Sequence, residues 1–317
     1  MGVLEQCLKI GGVCIGFYGE DLGAIVESFT NSFSRRYLPD PRLCDHCDSR
    51  GIEVSWIRGQ GFSVVAAEYY NSPVLPDRYI VEGGPVEPYA NESPVFFLLQ
   101  ALSRRLLLEK RVVLTDSITI HIPGTGKAVL LLGYPHTGKS TIASIAYSRG
   151  FNLLSTENTV VEASDNGLYV KSGSSVLVYD PRVKDLYEVR ITPQGKTRHG
   201  YEIIDINNGD REKLFEKGIR ISSIYILHTS FSSSGVSLEP VKGRKIGKTL
   251  WYFATGVLKG VDFYEPAPLD MPLNGLKTCL LEFLNIVRRM YEDRVFEVFG
   301  SPLEVFNEIT RLEASSI

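Results

Sequence analysis

The chain has 317 residues, of which 44% are hydrophobic and 22% charged, and its formal net charge is −3. This is the composition of an ordinary globular protein with material for one large domain or two smaller ones. The small net charge, and Lys/Arg runs no longer than a pair, argue against nucleic acid as a partner. No apolar run approaches the ~18–20 residues that span a bilayer, and the N-terminus lacks a basic signal-peptide region, so we expect a cytoplasmic protein without a membrane partner.

The first 90 residues predict an N-terminal α/β region. Alternating apolar and polar side chains predict strands over residues 8–18 and 51–68. Between them, Asp21 to Tyr37 carries apolar residues at helical spacing, which predicts a helix. The stretch NSPVLPDRYIVEGGPVEPYANES holds four prolines and two adjacent glycines, which is typical of a linker. We therefore place a domain boundary between residues 90 and 91.

Residues 91–317 predict interleaved helices and strands. The buried helix PVFFLLQALSRRLLLEK precedes RVVLTDSITIHI, whose β-branched residues favour a strand or hairpin. Strands are also predicted for FNLLSTENTVVEA, which leads to a reversal at Asn166-Gly167, and for residues 221–229. The chain ends with a helix over Leu276–Tyr291, the strand RVFEVFG and a helix capped by Ser301. This alternation predicts an α/β or α+β class with a mixed sheet.

The most specific motif is a phosphate-binding loop, G-x-x-x-x-G-K-S, from Gly133 to Ser140. It follows the buried strand KAVLLL and precedes the helical segment TIASIAY, which is the context in which such loops work. We therefore predict that the loop holds the phosphates of a nucleotide at the positive end of a helix. The predicted nucleotide-binding residues are Gly133, His136, Thr137, Gly138, Lys139, Ser140 and Thr141.

The residue types of the motif suit separate tasks. The two glycines let successive backbone N–H groups converge on one anion. Lys139 brings a point charge to the β- and γ-phosphates, and the hydroxyl of Ser140 is the expected Mg²⁺ ligand. Thr141 contacts the α-phosphate or only packs. We interpret the side chain of His136 as pointing to solvent rather than taking part in catalysis.

Motifs of several loop-containing classes are missing. The sequence has no N-K-x-D, which reads guanine, and no LSGG-type signature, so a GTPase and an ABC-type ATPase are disfavoured. EIID at 202–205 is short, and the strand over 221–229 carries His228 near its end, so a motor or AAA-type ATPase is disfavoured as well. By elimination, the loop is typical of a small-molecule or protein kinase.

The segment from Ser117 to Val161 resembles the catalytic core of HPr kinase/phosphorylase and its kinase-like relatives, which share a fold with PEP carboxykinase. The resemblance lies in the order of a strand, a Gly-x-Gly turn at Gly124 and Gly126, a buried strand, the phosphate loop, a helix and a further strand. Weaker likeness in YDPRVKDLYEV, IRISSIYIL and RVFEVFGSPLEVFNEITRL extends it over residues 95–313. The resemblance implies a mixed-sheet P-loop domain of the HPr kinase/PEP carboxykinase-like type.

Two positions depart from the family's pattern. Its members usually carry two acidic residues at the end of the strand after the P-loop helix, where they contact the metal and act as base toward the accepting hydroxyl. Here the two places hold Thr156 and Glu157, and Asp116 stands where a histidine often opens an earlier strand. The predicted catalytic residues are Lys139 of the loop, Glu157, which the resemblance implies, and Asp116. The two carboxylates act together if their strands end near the phosphate loop. The alternative is that Asp116 only begins a turn and Glu157 is a surface residue at a strand end. The resemblance also implies Ser140 and Glu157 as metal ligands.

We predict an ATP- and Mg²⁺-dependent phosphotransferase that moves a γ-phosphoryl group to a hydroxyl of a small molecule or of a protein serine. The alternative is an inactive ATP-binding sensor or scaffold, which the hydroxyl of Thr156 in place of a carboxylate favours. The glycine-rich second signature of true HPr kinases is not recognisable in residues 180–225, so HPr itself is not the expected acceptor. Homo-oligomerisation and the choice of donor nucleotide stay open.

Two other features carry weaker predictions. Residues 180–200 are rich in Arg and Lys and form either a flexible clamp that closes on phosphate, led by Arg182 and Lys196, or a solvated hairpin. Cys44 and Cys47 form one C-x-x-C pair, but no second such pair exists to complete a structural zinc site. We favour a turn that carries two thiols.

Overall fold

The computed structural model describes residues 4–46, 50–206, 209–260, 269, 271–273 and 275–315. The chain forms two compact units, of which the first comprises Met1–Val113 with Ala254–Phe283 and the second Leu114–Phe253 with Leu284–Ile317. The first unit therefore extends beyond the boundary expected at residues 90 and 91. In the described part of the chain, no helix is both long enough and apolar enough to cross a membrane.

The first unit contains a mixed sheet with the strand order β3-β1-β2-β4-β6-β5. Its strands are β1 (Leu4–Ile10), β2 (Val13–Gly19), β3 (Arg42–Cys44), β4 (Arg50–Arg58), β5 (Phe62–Glu68) and β6 (Asp77–Gly83). Its helices are α1 (Leu22–Ser28), α2 (Ser32–Tyr37) and α3 (Ser93–Leu108). Strands β2, β4 and β6 are parallel, and the outer pairs are antiparallel. Helix α3 packs on β2, β4 and β6, which explains why it belongs to this unit.

Three segments of this unit are divided more finely than the sequence predicted. The strand expected over residues 8–18 is part of the hairpin β1–β2, which reverses at Gly11 and Gly12. The stretch 51–68 likewise holds two strands, β4 and β5. The helix expected from Asp21 to Tyr37 is two helices, because the Asn31 side chain caps α2 by accepting a hydrogen bond from the Ser34 N–H at 2.8 Å.

The predicted linker is wrong over part of its length, because it contains the central strand β6. The side chains of this strand alternate between buried and exposed, which is the pattern of a sheet strand with one face on a core. The prolines of the segment lie before and after Asp77–Gly83 and not within it. Proline frequency over the whole stretch therefore concealed a regular strand between two turns.

Strand β7 (Arg111–Leu114) leads into the second unit, which is also built on a mixed sheet. Its strands are β8 (Ser117–Ile122), β9 (Lys127–Leu132), β10 (Leu153–Ser155), β11 (Thr159–Ser164), β12 (Gly167–Gly173), β13 (Val176–Tyr179), β14 (Gly195–Lys196), β15 (Glu202–Asp205), β16 (Ile219–Thr229), β17 (Val236–Pro240) and β18 (Val295–Gly300). The helices that follow α3 are α4 (Lys139–Ser148), α5 (Val183–Tyr187), α6 (Gly209–Lys217), α7 (Arg244–Lys259), α8 (Lys277–Met290) and α9 (Pro302–Ala314).

The main sheet of the second unit contains the order β10-β8-β9-β16-β12-β11. Strands β9 and β16 are parallel, β18 runs parallel to β16, and β17 is antiparallel to β18. A separate antiparallel sheet has the order β13-β15-β14. The mixed α/β class predicted from the sequence is confirmed.

Strand β9 is apolar along almost its whole length because it lies inside the sheet, between β8 and β16. Val129 and Leu131 belong to one core cluster with Ile142 of α4 and Phe306 of α9. Ala128 lies on the opposite face of the strand from these two residues, and it is also fully buried. This packing fixes where β9 ends and α4 begins, and so it fixes the ends of the loop between them.

Candidate phosphate site

The predicted phosphate loop connects the end of β9 to the start of α4 through two sterically tight glycines. Gly138 has φ of 86°, in the left-handed region, and directly precedes α4. A Cβ added to Gly138 would lie 2.0 Å from Oγ1 of Thr229, and one added to Gly133 would lie 2.2 Å from Oγ1 of Thr137. Neither place has room for a side chain unless a threonine hydroxyl shifts, and at Gly138 the left-handed backbone is a second reason for glycine.

Lys139 is 7% exposed and its ammonium group bends back over the loop. It donates hydrogen bonds to the carbonyl oxygens of Gly133 and Tyr134, the latter at 3.0 Å. It also forms an ion pair with Asp116, with 2.9 Å between Nζ and Oδ1. The structure thus brings together two of the three predicted catalytic residues, and the positive charge sits at the mouth of the loop.

Asp116 is placed by the antiparallel pairing of β8 with β9. Because Ser117 of β8 faces Leu132 of β9 in the register, the residue before β8 lies beside the start of the loop. The Asp116 carbonyl accepts a hydrogen bond from the Gly133 N–H at 3.2 Å. The carboxylate is 3% exposed, and its Oδ2 atom has no hydrogen-bond partner within the described part of the chain. An unpartnered buried carboxylate oxygen is costly, and it offers a place for a metal ion or a proton.

Glu157 follows the next strand of the sheet at the same edge. Strand β10 pairs antiparallel with β8, so the residues after Ser155 return toward the beginning of β8. The Ser117 N–H donates to the Glu157 carbonyl at 2.9 Å, which ties the two segments together next to Asp116. The Glu157 residue is half-buried. Asp116 and Glu157, the two predicted acidic residues, therefore lie on neighbouring segments of one sheet edge.

Thr156 lies in the interior of the protein. It is 2% exposed, and its hydroxyl donates to the Val176 carbonyl at 2.9 Å and shares a 3.1 Å hydrogen bond with Oγ of Ser174. The same Ser174 oxygen accepts hydrogen bonds from the backbone N–H groups of residues 156–158. The hydroxyl at the first of the two expected acidic positions thus supports the turn.

Buried hydroxyl groups hold the strands beneath this edge. Oγ1 of Thr159 lies 2.7 Å from Ser117 Oγ, 3.1 Å from Thr119 Oγ1 and 2.5 Å from Ser155 Oγ. All four side chains are buried. Such a network is rigid when satisfied, and it joins β8, β10 and β11 below Asp116 and Glu157. Sequence reasoning missed it, because serine and threonine are ordinary residues in strands.

The other predicted loop residues lie along the connection and the first turn of α4. His136 is exposed, in agreement with the interpretation of its side chain, and has φ of 65°. Thr137 donates through Oγ1 to the Tyr134 carbonyl at 2.8 Å. Ser140 is half-buried, and Thr141 is buried. The first N–H groups of α4, which have no partner within the helix, lie next to these side chains and supply an anion-binding end.

Thr229 is a loop contact that the sequence did not reveal. It ends β16, the parallel neighbour of β9, and its Oγ1 donates to the Thr137 carbonyl at 2.6 Å. Its only sequence signal was its place at the end of a strongly apolar strand. The contact holds the loop from the side opposite to Asp116.

The residues of the site fit a nucleotide-bound Mg²⁺ better than a metal held by protein alone. Among the described residues, no group of three or more His, Cys, Asp or Glu side chains is placed to hold a metal ion. Mg²⁺ at a nucleotide needs only one or two protein ligands, because phosphate oxygens and water supply the others. The hydroxyl of Ser140, the carboxylate of Glu157 and the unpartnered Oδ2 of Asp116 are oxygen donors of the kind that this ion prefers.

The basic segment 180–200 contains α5 and β14. Several of its Arg and Lys side chains form ion pairs with carboxylates of the segment or close to it in the chain. Arg182 pairs with Asp180, and Lys184 and Lys196 lie 2.5 and 3.9 Å from carboxylate oxygens of Glu202. Burial raises the pKa of Glu202. The hydrogen bonds from Lys184 and Tyr179 together lower this pKa by more than burial raises it, so the pKa lies below its ordinary value. These contacts favour the solvated hairpin over the phosphate clamp, because the cations already have carboxylate partners.

The cysteine prediction falls partly outside the described residues, because Cys47 is not among them. Cys44 ends β3 and lies opposite Cys7 in the register of β1 with β3. Both belong to the first unit. The C-x-x-C pair therefore stays a prediction.

No model of a known protein family matches the chain, and a search of curated proteins gives no match. The function must therefore be inferred from the geometry around the loop.

Proposed function

We propose that the protein is an ATP-dependent, Mg²⁺-requiring phosphotransferase of the HPr kinase/PEP carboxykinase-like type. It would transfer a γ-phosphoryl group to a hydroxyl of a small molecule or of a protein serine. The observation that carries the proposal is the position of Lys139, whose ammonium lies between the loop carbonyls and Asp116. A charge held there can bind the β- and γ-phosphates of a nucleotide whose phosphates sit on the N-terminus of α4.

In this proposal the residues of the site divide the work of phosphoryl transfer. Mg²⁺, held by Ser140 and Glu157, would neutralise charge on the β- and γ-phosphate oxygens. The accepting hydroxyl loses its proton to the carboxylate of Glu157 or Asp116 while a bond forms between its oxygen and the γ-phosphorus. The bond from the γ-phosphorus to the bridging β-oxygen breaks, and ADP leaves. Because Lys139 occupies only Oδ1 of Asp116, Oδ2 stays open for a proton or metal while the ion pair persists.

One observation favours the second candidate, an inactive ATP-binding sensor or scaffold. The hydroxyl of Thr156 is bonded to Val176 and Ser174, so the position that carries an acidic residue in the family cannot serve a metal here. If catalysis requires both acidic residues on that strand, the loop binds nucleotide without transferring phosphate. The two functions make opposite predictions for turnover and the same prediction for binding.

Incubation with γ-labelled ATP and Mg²⁺, together with pools of metabolites and proteins, tests transfer. We expect label on an acceptor with the natural sequence and with Lys248→Ala, an exposed lysine of α7 that serves as the matched control. Lys139→Ala should lose at least tenfold in ATP affinity, because it removes the charge at the loop, and should lose transfer with it. Unchanged ATP affinity in Lys139→Ala would overturn the proposal at its base.

Two isosteric variants separate catalysis from binding. Asp116→Asn and Glu157→Gln remove negative charge at nearly constant shape, so ATP should still bind. If either carboxylate accepts the proton, its variant should slow transfer by roughly 10²–10⁴-fold. Tight ATP binding without turnover in the natural sequence, unaltered in both variants, would instead favour the sensor.

A further inference from the structure

The phosphate loop has chemically different surroundings on its two sides. Strand β9 lies between β8 and β16 in the sheet. On the β8 side are Asp116 and the ammonium of Lys139. On the β16 side the loop is joined to Thr229. A linear phosphate chain whose γ end lies at the lysine and the carboxylate therefore directs its nucleoside end away from β8 and toward β16.

An exposed aromatic ring lies just beyond Thr229. Phe231 is 60% exposed, although phenylalanine is a large apolar residue that usually lies in the core. Its ring stacks on that of Tyr187, with 6.2 Å between the centroids and 24° between the planes. The turn that carries Phe231 is held by hydrogen bonds from the Ser230 N–H to the Gly300 carbonyl and from the Ser233 N–H to the Ser230 carbonyl. The exposed ring is therefore fixed at its backbone and on one face.

Tyr187 provides a firm support for this ring. It lies at the end of α5 and packs against the core cluster that also contains Val129 and Leu131 of β9. Burial raises the pKa of its phenol, so the side chain stays neutral across the physiological range. An exposed ring on a half-buried ring that packs against the core resembles the aromatic platforms on which nucleobases stack.

We infer that Phe231, supported by Tyr187, is the platform on which the base of the donor nucleotide stacks. The inference rests on the proposed function, because it assigns the nucleoside end of the same site. A stacking platform contacts the face of a base, whereas a guanine-reading motif contacts its edge. The platform therefore explains how a base can bind although the sequence has no guanine-reading motif. It specifies the donor class as a nucleoside triphosphate, with adenine and guanine both accepted.

Calorimetric titration with three probes tests the platform. MgATP, MgGTP and inorganic tripolyphosphate with Mg²⁺ share the phosphate chain, and only the first two carry a base. We expect Phe231→Ala to weaken ATP and GTP by about 5- to 100-fold and to leave tripolyphosphate within twofold. Phe231→Tyr should restore both nucleotides. The matched control is Tyr201→Ala, which removes an aromatic ring that is 44% exposed in the same unit.

The outcomes separate the platform from the phosphate site. Two results would overturn the platform and leave the loop as a phosphate site, provided that the natural sequence binds all three probes. In the first, Phe231→Ala leaves the affinity for ATP unchanged. In the second, it weakens the affinity for tripolyphosphate as much as that for ATP. Tyr134 is the exposed ring of the loop itself, and it lies against Phe253. A strong loss of ATP affinity in Tyr134→Ala, with none in Phe231→Ala, would place the base on that ring and also overturn the platform. Absence of binding of any probe to the natural sequence would sink the proposed function itself. Circular dichroism of each variant checks that the fold is intact.

Discussion

Replacement of Gly138 by alanine probes the contact that shapes the phosphate loop. The residue has φ of 86°, and a methyl group there would lie 2.0 Å from Oγ1 of Thr229. Its other neighbours are less crowded, with Cβ of Thr229 at 3.4 Å and Cγ of Pro302 at 3.7 Å. The main clash is therefore with one hydroxyl oxygen, which also donates to the Thr137 carbonyl at 2.6 Å.

The cost of Gly138→Ala has two separable parts. A non-glycine residue in the left-handed region costs roughly 1–2 kcal/mol. Displacement of the Thr229 hydroxyl breaks its hydrogen bond, which contributes about 0.5–1.5 kcal/mol to stability. We therefore expect Gly138→Ala to lower the free energy of unfolding by roughly 1.5–3.5 kcal/mol in the natural background. In a Thr229→Ala background only the backbone part should remain, about 1–2 kcal/mol.

Urea unfolding of the two single variants and the double variant measures this difference as a coupling energy. Thr229→Val provides the control, because it removes the hydrogen bond but keeps a methyl group where the hydroxyl was. Gly138→Ala should cost more beside valine than beside alanine, because the added methyl group still meets a methyl group of valine, whereas beside alanine only the backbone part remains. An equal cost in all three backgrounds, within about 0.3 kcal/mol, would show that Thr229 does not limit the loop, and the steric argument would fail.

Three further variants test other parts of the structure. Asp77→Asn should lower the free energy of unfolding by about 3–5 kcal/mol in urea denaturation, because the guanidinium of Arg104, 1% exposed, loses its charged partner; a loss below about 1 kcal/mol would contradict this. Glu202→Gln should be less stable than the natural sequence at pH 7. Because hydrogen bonds such as that from Lys184 hold the pKa of Glu202 below its ordinary value of 4.5, its stabilisation is present above that value and is lost as the pH falls through the folded pKa. The difference in unfolding free energy should therefore shrink by pH 3, and a constant difference from pH 7 to pH 3 would refute the assignment. Thr156→Asp should lower the melting temperature without raising transfer, because its carboxylate would be buried against a carbonyl; increased transfer would show that the position faces the metal.

The sequence predicted those parts of the fold that depend on near neighbours along the chain. The apolar run of β9, the glycines of the loop and the start of α4 lie within about 15 residues, and their spacing alone indicates a strand, a turn and a helix. The hairpin at Asn166-Gly167 and the cap at Ser301 are equally local, and both are confirmed. Local steric and hydrogen-bonding rules suffice for such elements.

Contacts between distant residues could not be predicted in this way. Thr229 meets the loop from a strand about 90 residues further along the chain, and only the pairing of β16 with β9 brings it there. Ser174 caps the turn at Thr156 through the fold of β11 and β12. Neither residue belongs to a motif, and serine and threonine carry no periodic signal of their own. The sequence likewise did not indicate that α3 packs on the first sheet, because the partner of a helix cannot be deduced from the helix sequence.

The sheet order changes how the missing acidic residue at position 156 is judged. The proposed phosphotransferase type calls for two carboxylates on one strand end, and here only Glu157 occupies such a place. Antiparallel pairing of β8 with β10, however, puts the beginning of one strand at the end of the other. Asp116 precedes β8 and Glu157 follows β10, and the hydrogen bond from the Ser117 N–H to the Glu157 carbonyl holds the two segments together. Two carboxylates at one edge can therefore come from two neighbouring strands. The bonded hydroxyl of Thr156 favours the sensor, and the carboxylate that Asp116 adds from the neighbouring strand favours the kinase.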